Sequence, residues 1–143
     1  MSIGKIAGLA AGDAVLVLTW DDGRTARVDL SHNIEARPVL AALSDATEFA
    51  RATVSSDGWS VEWPCGIDFG SPQLRRWADE QAGEAMPPAE FRAWIERHGF
   101  TLETAAQALG LSRRTVAYYL SGEQPVPKTV MLATEGYDHR RAA

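Results

Sequence analysis

The chain has 143 residues, a formal net charge of −5, 45% apolar residues and a single cysteine, Cys65. This length allows one domain or two small ones, and the apolar content is enough for a buried core. A lone cysteine cannot form an internal disulfide. No apolar run is long enough to cross a bilayer, and the N-terminus has no secretory signal pattern. We therefore expect a cytoplasmic protein.

The first part of the sequence predicts strands and short helices. Residues 14–20 (AVLVLTW) are apolar and β-rich, Asp21-Asp22-Gly23 suits a tight turn, and residues 24–30 follow as a partner strand. This pattern predicts a β-hairpin. Three more elements are predicted, in chain order: a short helix at 36–43, a second hairpin of strands 47–54 and 59–63, and a helix at 73–81 that follows a Ser71-Pro72 cap.

A boundary is predicted near the middle of the chain. Gly83 and Pro87-Pro88 interrupt regular structure, so we place a linker at 84–88. The charge distribution also changes there. Residues 1–85 contain 7 Lys and Arg against 13 Asp and Glu, whereas residues 86–143 contain 7 against 6. An acidic surface disfavours nucleic acid, so only the second part remains a candidate for binding it.

The second part reads as four helices. The first spans 88–98 and ends at Gly99, Thr101 and Ser112 can cap the next two, and Pro127 can begin the fourth. Residues 137–143 are expected to fray. The predicted fold class is α+β: a small α+β domain with β-hairpins at 1–83, followed by an all-α four-helix domain at 89–137.

Residues 100–125 have the order of parts of a helix-turn-helix. Ala105 and Ala106 leave room for two helices to cross closely, Gly110 permits a tight turn, and the next helix begins with Arg113 and Arg114. Two arginines in the first turn of a helix oppose the macrodipole. Their placement has a reason if they bind phosphates or guanine edges, so the sequence predicts binding to double-stranded DNA.

Several residues of this segment match a known pattern: Ala106, Leu109-Gly110-Leu111-Ser112, Thr115-Val116, Gly122 and Pro125. With them, residues 90–133 resemble the lambda-repressor-like (Cro/C1, XRE-type) helix-turn-helix family. The resemblance implies that Arg113, Arg114 and Tyr118 touch bases, and that Ser112 and Thr115 contact phosphates.

Two positions depart from that family. Leu102 stands where the family often has a phosphate-binding Gln. Ile95 and Leu120 stand where the family often has a buried Arg–Glu ion pair. Replacing both members of such a pair by hydrophobes can preserve stability, so the double change supports the alignment.

A second set of residues matches another family: Trp20-Asp21-Asp22-Gly23, Val28-Asp29-Leu30, Phe49 and Trp63-Pro64-Cys65-Gly66-Ile67-Asp68. With them, residues 14–80 resemble the bacterial domain of unknown function 2442. The resemblance implies a small α+β fold and no established reaction. Members of this family are similar to antitoxin or regulatory components of small bacterial operons, which is an analogy of fold only.

Candidate catalytic residues are few. Cys65 could act as a thiolate with His32 as its base, although a space-filling turn cysteine is favoured. Asp29 and Asp68 could form a carboxylate pair, although cap and turn roles are favoured. The three histidines, His32, His98 and His139, lie far apart without metal-ligand spacing, and there is no Gly-rich phosphate loop. We predict no enzyme activity, cofactor or metal.

The sequence therefore predicts a two-domain bacterial transcriptional regulator, acting as a homodimer on a two-fold operator. The N-terminal domain would dimerise or sense a partner. One alternative is an antitoxin-like protein that binds a small partner protein and autoregulates its operon. Another is a helix-turn-helix that mediates only protein contacts, which Leu102 permits. Trp59 lies at a hairpin tip and, if exposed, suits a protein interface.

Overall fold

The computed structural model describes residues 4–142 and divides the chain into two compact units, Met1–Gln81 and Ala82–Ala143. The first unit contains small antiparallel sheets with short helices, and the second contains four helices with a two-stranded sheet. The predicted α+β class is confirmed. Within residues 4–142, no helix combines the length and apolarity required to cross a membrane.

A three-stranded antiparallel sheet forms one wall of the first unit. Its strands follow chain order: β1 (Ile6–Gly12), β2 (Val15–Trp20) and β3 (Thr25–Asp29). Leu16, Leu18 and Trp20 are buried while Val17 is 43% exposed, so β2 alternates between core and solvent as its period of two requires. The predicted hairpin of β2 and β3 is confirmed. The sequence did not predict β1, because its Gly- and Ala-rich segment has low strand propensity.

The rest of the first unit is built from short elements. They are α1 (Ser31–Ala36), a 3₁₀ helix (Pro38–Ser44), α2 (Ala46–Phe49), β4 (Thr53–Val54), β5 (Ser60–Glu62), β6 (Asp68–Gly70) and α3 (Ser71–Gln81). Strands β4, β5 and β6 form a second antiparallel sheet in chain order.

Two sequence predictions in this region are corrected. The helix expected at 36–43 is a 3₁₀ helix that begins at Pro38, because Arg37 has the extended backbone that a following proline imposes. The strand expected at 47–54 is confined to β4. Its first residues belong to α2, where the Asp45 carboxylate accepts a hydrogen bond from the Glu48 amide and caps the helix.

The core of the first unit is rich in aromatic side chains. Successive rings of Phe49, Trp63, Phe69 and Trp77 lie 5.3–5.7 Å apart between centroids. The buried Trp63 indole N–H donates to the carbonyl of Phe49 at 2.9 Å, so this large ring buries no unpaired polar atom. Trp63, the first residue of the Trp63–Asp68 motif, thus lies at the centre of the packing, whereas Pro64, Cys65, Gly66 and Asp68 are exposed.

The side chain of Gln81 closes part of the exposed edge of β3. Its Oε1 accepts from the Asp29 amide at 2.8 Å, and its Nε2 donates to the Asp29 carbonyl at 2.9 Å. The amide group therefore makes the two hydrogen bonds that a neighbouring strand would make at this residue.

The second unit begins with a strand. Its elements are β7 (Ala85–Met86), α4 (Pro88–His98), α5 (Leu102–Leu109), α6 (Arg113–Ser121), β8 (Val126–Pro127) and α7 (Lys128–Ala142). Residues 84–88, expected to be a linker, include β7, which is buried and pairs with β8. No local pattern indicates this strand, because its pairing partner lies about forty residues away in the sequence.

The expectation of a frayed tail at 137–143 is wrong for the described residues 137–142. Helix α7 continues to Ala142 because Asp138 is held by three side chains of α4. Its carboxylate accepts from Trp94 Nε1 and Arg97 Nη2 at 2.9 Å each, and lies 2.6 Å from His98 Nε2. Tyr137 packs edge-on against the Trp94 and His98 rings.

Candidate nucleic-acid interface

Helices α5 and α6 are delimited by side-chain caps and left-handed glycines. Thr101 and Thr104 form a reciprocal capping box at the start of α5. Gly110 ends α5 with φ of +72°, a backbone conformation that is energetically unfavourable for residues other than glycine. Ser112 Oγ then accepts from the Thr115 amide at 3.1 Å and starts α6. The two predicted caps are confirmed, and a turn of three residues joins the helices.

The inward face of this pair packs small residues of α5 against larger ones of α6. Ala105, Ala106 and Val116 are buried, as the small-residue pattern predicts. Tyr119 is also buried and meets Phe91 edge-on at 5.7 Å between centroids. Burial raises the pKa of its hydroxyl. Tyr119 is not among the core residues predicted from sequence, although its spacing of three from Val116 places it on the same helix face.

Ile95 and Leu120 both belong to the apolar core of the second unit, Ile95 buried and Leu120 half-buried. The site of the ion pair that the resemblance implies is therefore occupied by two apolar side chains. Leu102, which stands where the resemblance implies a Gln, packs partly into the same core. Its side chain has no hydrogen-bonding group to offer a phosphate.

The outward face of α6 carries the predicted base-reading residues. Ser112, Arg113 and Arg114 are exposed, and Tyr118 is half-buried. Arg114 Nε donates to Tyr118 Oη at 2.8 Å, and the guanidinium carbon lies 5.4 Å from the ring centroid. The structure thus brings two of the predicted residues into direct contact. Their spacing of four along a helix is a signal that could have indicated this pairing from sequence.

Arg113 lies apart from that pair. It lines a shallow depression together with Thr101, Leu102 and Glu103 at the first turn of α5. Within residues 4–142, neither Arg113 nor Arg114 has an ion-pair partner. The first turn of α6 contains no acidic residue either. The two arginine side chains and the positive end of the α6 dipole therefore lie at the same exposed helix start, an arrangement that favours a bound anion.

Ser112 and Thr115 form the N-terminal cap of α6 and still have one hydroxyl hydrogen available for a further hydrogen bond. Their hydroxyl oxygens lie 2.9 Å apart, and Ser112 Oγ also accepts from the Thr115 amide. One hydroxyl hydrogen is used between the two side chains, so the other can still donate to an external acceptor such as a phosphate oxygen.

The candidate catalytic residues of the first unit are not brought together by any hydrogen bond or ion pair among the described residues. Cys65 is exposed in a turn, where its amide donates to Glu48 Oε2 at 3.0 Å, and His32 is exposed in α1. The Asp29 carboxylate accepts from the Ser31 hydroxyl and amide, and these hydrogen bonds lower its pKa. A lowered pKa makes Asp29 a weaker proton acceptor.

The structure also locates Trp59 and the possible metal-ligating residues. Trp59, flagged as a possible exposed interface residue, is half-buried, and the Lys5 ammonium lies 5.7 Å from its ring centroid. No group of three or more His, Cys, Asp or Glu within residues 4–142 is arranged to hold a metal ion.

Comparison with known proteins covers both units. The family described as Protein of unknown function (DUF2442) matches residues 7–80, in agreement with the resemblance seen at 14–80. The chain is also similar to the crystal structure of the putative DNA binding protein NE0471 from Nitrosomonas europaea ATCC 19718. The sequence identity is 35% and the TM-score 0.50, over 96% of this chain and 90% of that one. A comparison with curated proteins finds no match.

Proposed function

The chain belongs to the family of proteins of unknown function DUF2442, and we propose that this member is a sequence-specific DNA-binding transcriptional regulator, acting as a repressor. The observation that carries the proposal is that Arg113 and Arg114, both exposed in the first turn of α6, have no ion-pair partner within residues 4–142. The likeness to a protein named as a putative DNA binding protein supports it. In this proposal α5 and α6 form a helix-turn-helix of the lambda-repressor type, and the protein catalyses no reaction.

The proposed mechanism places α6 in the major groove of B-form DNA. The N-terminal residues of a recognition helix reach base edges there, while the preceding helix crosses the backbone. Arg113 and Arg114 would each reach guanine O6 and N7, the commonest specific contact of arginine. Ser112 or Thr115 would donate its remaining hydroxyl hydrogen to a phosphate and fix the register of the helix.

Tyr118 has a different role in this mechanism from the one expected from sequence. Its hydroxyl holds Arg114 Nε at 2.8 Å, which leaves the two terminal guanidinium nitrogens free to form a fork. A side chain that is already oriented loses less conformational freedom on binding. We therefore propose that Tyr118 positions Arg114 rather than reading a base through its own hydroxyl.

A Tyr118→Phe variant tests this positioning role. We expect it to weaken specific DNA binding by about 1 kcal/mol, because one hydrogen bond that orients Arg114 is lost. The melting temperature should stay unchanged, since Arg114 is exposed. The measurement is fluorescence anisotropy with an operator sequence obtained by selection from random double-stranded DNA. Tyr137→Phe, a tyrosine of α7 outside the interface, is the matched control. Equal affinities for Tyr118→Phe and the natural protein would contradict the role.

The small charge of the second half favours a dimer as the species that binds DNA. Residues 86–143 have only one more basic than acidic residue, so nonspecific attraction of one copy to phosphates is weak. Two copies on a two-fold operator would double the contacts. We propose a homodimer, with the acidic first unit as the dimerising or partner-sensing part.

Selection of bound sequences from random double-stranded DNA tests the proposed function. We expect an enriched motif with two inverted half-sites spaced by about one helical turn, or about 10 base pairs. Recovery of a motif with a single half-site would support DNA binding but contradict the proposed dimer. A helix-turn-helix that contacts only proteins would be favoured if no motif is recovered and if the DNA upstream of the protein's own gene shows no electrophoretic mobility shift.

A further inference from the structure

The first unit contains an open cavity of about 540 Å³ that the proposed DNA interface does not use. It lies between the turn that joins β1 to β2 and the consecutive segments α1, the 3₁₀ helix and α2. Ile34, Pro38, Leu43 and Phe49 contribute apolar walls, of which Leu43 and Phe49 are buried. A volume in the range of 300–1,000 Å³ with mainly apolar walls is typical of sites for small organic molecules.

Two carboxylates stand at this apolar cavity. Asp13 belongs to the β1–β2 turn and Glu35 to α1, and both are exposed. Neither has an ion-pair partner anywhere in residues 4–142, and no Lys or Arg is among the residues that line the cavity. The cavity therefore combines apolar walls with two carboxylates that form no ion pair among the described residues.

The turn that carries Asp13 is held in a defined place. Asp13 and Ala14 have φ of 54° and 62°, the left-handed conformation that a two-residue hairpin turn requires and that residues with side chains seldom adopt. The Ala14 carbonyl accepts from the Leu30 amide at 2.8 Å, immediately before α1. This hydrogen bond ties the turn to the start of the helix that carries Glu35. The turn and the start of α1 thus form one continuous wall of the cavity.

We propose that this cavity binds a small organic cation with an apolar body, such as an arylalkyl amine or amidine. The apolar body would occupy the space between Ile34, Leu43 and Phe49. The ammonium or amidinium group would face Asp13 and Glu35. An anion would meet uncompensated like charge, and a neutral molecule would gain only the apolar contacts. The proposal is independent of DNA binding.

Three probes of similar shape and different charge test the proposal: 2-phenylethylamine, 2-phenylethanol and phenylacetate. Binding to the 143-residue chain is measured by isothermal titration calorimetry and by changes of the backbone amide chemical shifts in the NMR spectrum. We expect the amine to bind at least about tenfold more tightly than the alcohol, and phenylacetate not to bind. Benzamidine, a second cation, should compete with the amine.

The Asp13→Asn, Glu35→Gln double variant is expected to lower amine affinity to that of the alcohol and to leave alcohol affinity unchanged. Asn tolerates the left-handed backbone of the turn, so the variant should fold. Glu62→Gln, which removes an exposed carboxylate of the same unit outside the cavity, is the control and should bind the amine normally. Equal binding of amine and alcohol, unchanged amine affinity in the double variant, or no binding of either cation at about 1 mM would overturn the proposal.

Discussion

Replacing Arg113 and Arg114 together with alanine is expected to abolish sequence-specific DNA binding while the fold is retained. Each arginine that bonds a guanine in two places contributes about 1–3 kcal/mol of discrimination, so losing both lowers affinity by roughly two to four orders of magnitude. The fold should tolerate the change because both side chains are exposed and neither forms an ion pair within residues 4–142. The measurement is an electrophoretic mobility shift with the selected operator.

A second double variant separates specific contacts from total charge. Arg140→Ala with Arg141→Ala removes the same two charges from the exposed end of α7. We expect it to weaken binding only through the general attraction to phosphates, with a smaller effect that falls further as salt is raised. If both double variants bind alike, or if the Arg113 and Arg114 variant binds as the natural protein does, α6 does not read the groove.

The second large effect is expected at Asp138, whose carboxylate joins α7 to α4. Asp138→Asn should destabilise the second unit by about 1–3 kcal/mol, because hydrogen bonds to a charged acceptor are among the stronger ones. The loss is no larger because the carboxylate is 37% exposed and solvent screens its charge. Thermal unfolding followed by circular dichroism measures the change. Glu135→Gln, one turn earlier on α7 and exposed, is the control. Equal melting of the two variants would contradict the anchoring role.

The same contact predicts how stability depends on pH. Burial alone would raise the pKa of Asp138, but hydrogen bonds from His98, Trp94 and Arg97 outweigh it and lower the pKa below its ordinary value of 3.8. A carboxylate with a lowered pKa stabilises the fold above its unfolded pKa. That contribution is lost as pH falls from 3.8 through the lower folded value. The natural protein should therefore lose more stability than Asp138→Asn over this acid range.

The helices of the second unit could be predicted from sequence because their signals are local. Phe91, Trp94 and Ile95 form an apolar stripe at helical spacing, and all three are buried in α4. Thr101 and Ser112 have the side chains that accept backbone hydrogen bonds at helix starts, and both do so. Composition and spacing within a few residues decide such features.

The features that could not be predicted depend on residues far apart in sequence. Strand β1 is made regular by pairing with β2, and β7 by pairing with β8. The end of α7 is ordered because Asp138 meets Trp94, which lies 44 residues earlier. At the candidate interface, sequence indicated which residues face outward. The spacing of four between Arg114 and Tyr118 allows a contact on one helix face, but the hydrogen bond itself also depends on the side-chain conformations of both residues.

The hydrogen bonds between Gln81 and Asp29 have a consequence for self-association. An outer strand with open amides and carbonyls is a template on which another copy can add its own strand, a common route to unwanted aggregates. Here a copy approaching β3 at Asp29 would first have to displace both hydrogen bonds of the Gln81 side chain. Gln81, at the end of α3, thereby hinders edge-to-edge association of two copies at this residue.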